Sequence, residues 1–168
     1  MSDTLILSIV LILICSVCAT FFFEQTTNVI GDDGLEIVAL SCKSLKRLRI
    51  ERGADGADDQ VGGGESGMVT QRGLVAVAEG CRELEYLAVY VTDITNEALT
   101  CIGTNLKNLN DFRLVLLDKE ESIADLPLDN GVQALLQGCQ NMRRFALYLR
   151  LGGLTDVGLG YVGQFSLN

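Results

Sequence analysis

Arg49, Arg113, Tyr90 and Tyr148 are the residues of this sequence best placed by type and spacing to bind a ligand. Each lies in one of four short blocks that superimpose: LKRLRIER from Leu45, LEYLAVYV from Leu84, LNDFRLVL from Leu109 and MRRFALYL from Met142. Aligning the blocks yields three rows. The lowest is Arg47, Tyr86, Asp111, Arg144; the middle is Arg49, Ala88, Arg113, Ala146; the upper is Glu51, Tyr90, Val115, Tyr148. If the blocks are neighbouring strands about 4.8 Å apart, Arg49 and Arg113 emerge roughly 10 Å apart with only an alanine between them. A carboxylate or phosphate could fill that gap and accept from both guanidinium forks. Tyr90 and Tyr148 would stand above it as apolar walls with hydroxyl donors. The bland alternative is that the arginines pair with Glu51, Asp111 or loop acids and keep the face soluble. For one residue that alternative would prevail. The combined Arg/Ala/Arg and Tyr/Val/Tyr pattern leaves unfilled volume between donors, so the expectation is a pocket for a small acid with an apolar body, buried against or beneath a bound peptide.

The elements that must position these residues follow from the same blocks. Each carries apolar residues at its first, fourth and sixth positions: Leu45, Leu48, Ile50; Leu84, Leu87, Val89; Leu109, Phe112, Leu114; Met142, Phe145, Leu147. This L-x-x-L-x-L spacing is the strand half of a leucine-rich repeat. Upstream of each block runs an amphipathic stretch opened by a capping-type residue, Asp32, Thr70, Thr95 or Asp129. The core residues expected on the first two helices are Leu35, Val38, Leu40 and Leu74, Val77, Ala78. A fifth unit opens at Thr155 and stops before its strand. Spacings read from Gly34, Gly73, Ala98, Gly131 and Gly158 are 39, 25, 33 and 27 residues, and the long ones locate insertions at Gly53–Met68 and Leu117–Pro127. The fold class is therefore α/β: a solenoid of about four full repeats and a partial fifth over residues 28–168, each a helix plus a short parallel strand.

The 168 residues include 13 Lys+Arg against 22 Asp+Glu, a net charge of −9, and no His. The acidity argues against nucleic acid as a partner. The absence of His removes the commonest general base and metal ligand, and no nucleophile–base pair or phosphate loop is visible, so neither an enzyme nor a metal site is expected. Cys42, Cys81 and Cys139 share one register just after each helix, as small buried thiols would, which favours a reducing compartment. Residues 1–27 are different. Leu5–Phe23 runs without a charge, long enough at about 1.5 Å per residue to span roughly 28 Å of bilayer. A membrane helix, a signal peptide and a stretch replacing lost repeat sequence are the three readings of that segment. A membrane-anchored repeat module that binds proteins is the alternative function it would carry.

Longer motifs narrow the reading. NVIGDDGLEIV, LKRLRIERGAD, GCRELEYLAVYVTDITNEAL, LKNLNDFRLVLLDKEE, DLPLDNGV and RRFALYLRLGGLTDVGL resemble the leucine-rich-repeat domain of the coronatine-insensitive family, plant F-box jasmonate co-receptors, from about Asn28 to Gln164. The resemblance implies a segment of the non-catalytic substrate-recruiting subunit of a nuclear SCF-type ubiquitin ligase. It implies jasmonoyl-isoleucine in the strand-face pocket, covered by the degron of a jasmonate-ZIM-domain repressor. Arg49 and Arg113 would hold the hormone's carboxylate and amide end, Tyr90 its amide region and Tyr148 its ring ketone. Arg47, Arg49 and Arg113 would face an inositol polyphosphate cofactor from beneath, and Arg52 would touch the degron. By the same likeness, the F-box that docks a Skp1-like adaptor and cullin is not in this sequence, nor are the flanking repeats.

Overall fold

The computed structural model describes residues 20–23, 30–50, 69–117 and 125–165, the first of these as backbone only. Five strands and five helices alternate: β1 (Thr20–Phe23), α1 (Asp32–Ser41), β2 (Arg47–Ile50), α2 (Gln71–Gly80), β3 (Tyr86–Val91), α3 (Asn96–Asn105), β4 (Asp111–Leu116), α4 (Asp129–Gly138), β5 (Arg144–Tyr148) and α5 (Asp156–Phe165). The strands form one parallel sheet in chain order, and each helix packs on the next. Every strand pairs with its sequence neighbour because each helix returns the chain to the same end of the sheet, the connection a parallel pair requires. This is the leucine-rich-repeat solenoid that the blocks predict.

The core lies between the two layers. Leu45, Leu48, Leu84, Leu87, Leu109, Phe112 and Leu114 are all buried, as are Leu35, Val38, Leu74, Val77 and Ala78 from the helices. Leu40, expected in the core, is 74% exposed. It lies two residues beyond Val38, which is the wrong side of a 3.6-residue helix. Met142, Phe145 and Leu147 are only partly buried, because β5 is the last strand of the sheet.

Helix starts depart from the sequence reading in an instructive way. Thr70 and Thr95 cap α2 and α3 as expected, their hydroxyls accepting from the Arg72 and Ala98 N–H at 3.1 and 3.2 Å. Asp32 and Asp129 do not cap their own helices. Gly31 and Leu128 occupy those N-cap positions and make no side-chain cap bond. Each carboxylate instead serves the following repeat. Asp32 accepts from the Thr70 N–H at 2.8 Å and from the Thr70 hydroxyl at 2.6 Å, and Asp129 does the same for Thr155. Asn96 continues the ladder by accepting from the Gly131 N–H at 2.7 Å and donating to the Pro127 carbonyl. Orphan groups at one helix start are thus satisfied by the repeat before it.

Thr20–Phe23 belong to the segment set apart at 1–27, yet they pair in parallel with Arg47–Ile50. A helix reaching Phe23, the membrane reading of that run, is therefore not what these four residues form. Among the described residues no helix is long and apolar enough to cross a membrane. The thiols of Cys81 and Cys139 are buried and free, as expected. Cys42 is disulfide-bonded, which corrects the expectation of a free thiol there. Glu51, Arg52, the Gly53–Met68 insertion and most of the second one lie outside the described residues.

Candidate functional site

Strand pairing places the aligned residues side by side. Arg47, Tyr86, Asp111 and Arg144 are mutual partners along the lowest row, and Arg49, Ala88, Arg113 and Ala146 along the middle one. In the upper row Tyr90, Val115 and Tyr148 are in register. The register is fixed because a slip of one residue would send the whole apolar set of a strand to solvent. All the row residues consequently leave the sheet on the face opposite the helices.

A cavity of about 310 Å³ opens on that face, lined by Tyr86, Ala88, Val89, Tyr90, Arg113, Val115 and Tyr148. The structure therefore brings together Tyr90, Arg113 and Tyr148, three of the four residues singled out for a ligand. Ala88 and Val115 leave the space between them, as their small size predicts. Arg49 is half-buried and in register with Ala88, yet it does not line the cavity. Arg113 and Tyr148 also border a larger hollow of about 1280 Å³ beyond β5, shared with Met142, Phe145 and Phe165. Sequence rows gave no sign of this second hollow, since it depends on which strand is last.

Below the cavity the cations are organised by two partners. The Arg47 guanidinium lies 4.5 Å from the centre of the Tyr86 ring and that of Arg113 lies 5.9 Å from it. A ring's negative face attracts such cations. Asp111 is 1% exposed and is the buried charged side chain among the described residues. Arg113 reaches it through Nε at 3.1 Å and Nη2 at 3.3 Å, and Arg144 through Nε at 2.8 Å. Hydrogen bonding to Asp111, and then its charge, raises the Arg113 pKa further above its ordinary value, so the fork remains cationic at any working pH. The bland alternative considered for Arg113, pairing with Asp111, is thus real, but it engages only two of the fork's five N–H donors. Three remain for the cavity or for an anion beneath it.

Fold and cavity together define a leucine-rich-repeat solenoid with a basic, tyrosine-walled hollow on its strand face. No family model matches the chain. Among individual proteins it is 65% identical over 153 residues to coronatine-insensitive protein 1 of Arabidopsis thaliana, covering 90% of this chain and 25% of that one. It is 63% identical over 149 residues to coronatine-insensitive protein homolog 1b of Oryza sativa subsp. japonica, covering 89% and 24%. An F-box protein of Arabidopsis thaliana is 33% identical over 138 residues, covering 81% and 21%. Over the matched stretch the chain belongs to the coronatine-insensitive family, as a leucine-rich-repeat segment. It spans about a quarter of the length of the curated relatives it matches. The match of 153 residues is longer than the Asn28–Gln164 stretch of family resemblance.

Proposed function

We propose that this chain carries part of the hormone- and degron-binding face of a substrate-recognition subunit of an SCF-type ubiquitin ligase in jasmonate signalling. The observation that supports this reading is the cavity in which Tyr90, Arg113 and Tyr148 converge over a floor of small side chains. Its ligand is jasmonoyl-isoleucine. Arg113 donates to the carboxylate, with Arg49 on the next strand but one approaching the carboxylate and amide end. Tyr90 bonds the amide region and Tyr148 the ring ketone. A jasmonate-ZIM-domain repressor then closes the open side, with Arg52 among its contacts. The role is recognition, with no reaction of its own. The Skp1-like adaptor and cullin would be partners of the F-box of the longer relatives, and the nucleus the place of action.

An inositol polyphosphate fits the lowest row by its donor chemistry. Arg47 and Arg144 are exposed there, and the guanidiniums of Arg47 and Arg113 gather at one phenol, with Asp111 the one buried carboxylate among the described residues to offset three charges. Arg47, Arg49 and Arg113 would hold the phosphates, which would supply negative charge to fix the forks from below.

The test is hormone-dependent capture of a ZIM-domain repressor peptide by the chain, before and after Arg49→Ala combined with Arg113→Ala. Each charge-assisted hydrogen bond contributes on the order of 1.5–3 kcal/mol, so capture should weaken at least about tenfold. Undiminished capture by the double variant would reject the pocket assignment.

A further inference from the structure

Asp111 is a charged group on this face that the proposed binding roles do not use. Its carboxylate is buried on the sheet face opposite the helices, and it holds two arginines at once. Buried ion pairs are a weak source of stability, because the attraction between the charges is offset by the loss of their hydration. What this arrangement does provide is direction. Both oxygens of Asp111 accept from the Arg113 fork side-on, through Nε and Nη2, two residues along the same strand. The Nη1 donors and the second Nη2 donor are left pointing away from Asp111.

We infer that Asp111 is a positioning residue that sets the carboxylate selectivity of the cavity by holding Arg113 in one orientation. The inference rests on the proposed role of Arg113 as the carboxylate donor. An arginine with four rotatable bonds and no partner would have to be immobilised each time a ligand bound. Asp111 already holds it through two hydrogen bonds. Arg144 completes the arrangement by occupying Oδ2 from the neighbouring strand at 2.8 Å, which keeps the carboxylate itself from turning. The charge of Asp111 works in the opposite sense, since a negative group beneath the cavity repels an incoming acid. Position and charge therefore predict opposite signs for the same substitution.

Equilibrium dialysis of the 168-residue chain against jasmonoyl-isoleucine and against its methyl ester separates them. With Asp111→Asn the acid should bind about three- to tenfold more weakly, the ester should change little, and the acid-to-ester ratio should fall toward that of Arg113→Ala. In the Arg113→Ala background, where there is no fork left to position, Asp111→Asn should not lower the ratio further. Tighter binding of the acid, or an unchanged ratio, overturns the inference. A role limited to folding would lower the melting temperature and leave the ratio alone, so that outcome also counts against it. Should Asp111→Asn not fold, Asp111→Glu keeps the charge and moves the carboxylate by one methylene, and the ratio should still fall; if it holds, the inference is overturned. If wild type shows no preference for the acid, or Arg113→Ala leaves that preference intact, the pocket reading itself fails, and this inference with it.

Discussion

Two glycines make opposite predictions for the same substitution. Gly138 ends α4 against Gly103 of α3. A methyl group at Gly138 would sit 2.8 Å from the Gly103 Cα and closer still to its carbonyl. These are backbone atoms, which cannot turn aside, so Gly138→Ala must push two stacked helices apart. Overpacking of this kind costs about 1–3 kcal/mol, and the better helix propensity of alanine returns about 0.5–1 kcal/mol. With backbone contacts this close the cost falls in the upper half of that range, so the net loss is about 1–2.5 kcal/mol, or roughly 2–10 °C in melting temperature for a chain of this size. Gly160 in α5 has nothing within 4 Å of the same methyl position. There Gly→Ala should raise the melting temperature by roughly 1–4 °C. Thermal unfolding followed by far-ultraviolet circular dichroism measures both. If Gly138→Ala melts no lower than Gly160→Ala, the close stacking of α3 on α4 is wrong and with it the geometry that sets the strand spacing.

Two further predictions concern the ladder and the thiols. Asp129→Ala removes the acceptor for the Thr155 N–H and hydroxyl, costing about 1–2 kcal/mol. The loss should appear as faster amide hydrogen exchange in Asp156–Phe165 with α3 unchanged, and an equal acceleration everywhere would contradict a local capping role. Burial pushes the thiols of Cys81 and Cys139 up to about 11. In the unfolded chain these thiols lose their protons first, near pH 9, so their contribution is intact below that pH and falls as pH rises toward 11. Urea midpoints measured from pH 8 to 11 should decline for wild type and decline less for a Cys81→Ala, Cys139→Ala chain, whereas parallel curves would refute it.

Much of the face was legible because L-x-x-L-x-L couples two things. The apolar positions fix which side of each strand is buried, and that in turn fixes the register of the intervening residues. Arg113 beside Ala88, and Tyr148 two strands from Tyr90, followed from that phase alone. Other features depend on partners far apart in sequence and leave no local pattern. Asp32 and Asp129 read as N-caps because their residue type and position suit one, but the hydrogen bonds they make reach 38 and 26 residues onward. Asp111 could be seen to be a candidate partner for arginine, but not to be buried between two of them. The strand at Thr20–Phe23 was hidden inside an uninterrupted apolar run, in which a buried strand and a helix look alike. Leu40 shows the limit of reading helix phase from three apolar residues.

The central claim is that the strand face binds an organic acid between Tyr90, Arg113 and Tyr148. Methyl resonances of alanine test it most directly, because Ala88 lines the cavity and Ala146 sits beside Arg113 in the middle row, while Ala39 and Ala78 lie in the helical layer. On titration of the isotope-labelled chain with jasmonoyl-isoleucine, the Ala88 and Ala146 signals should move saturably and those of Ala39 and Ala78 should stay in place. Saturable movement of the helix signals alone, or of none of the four, would contradict the account.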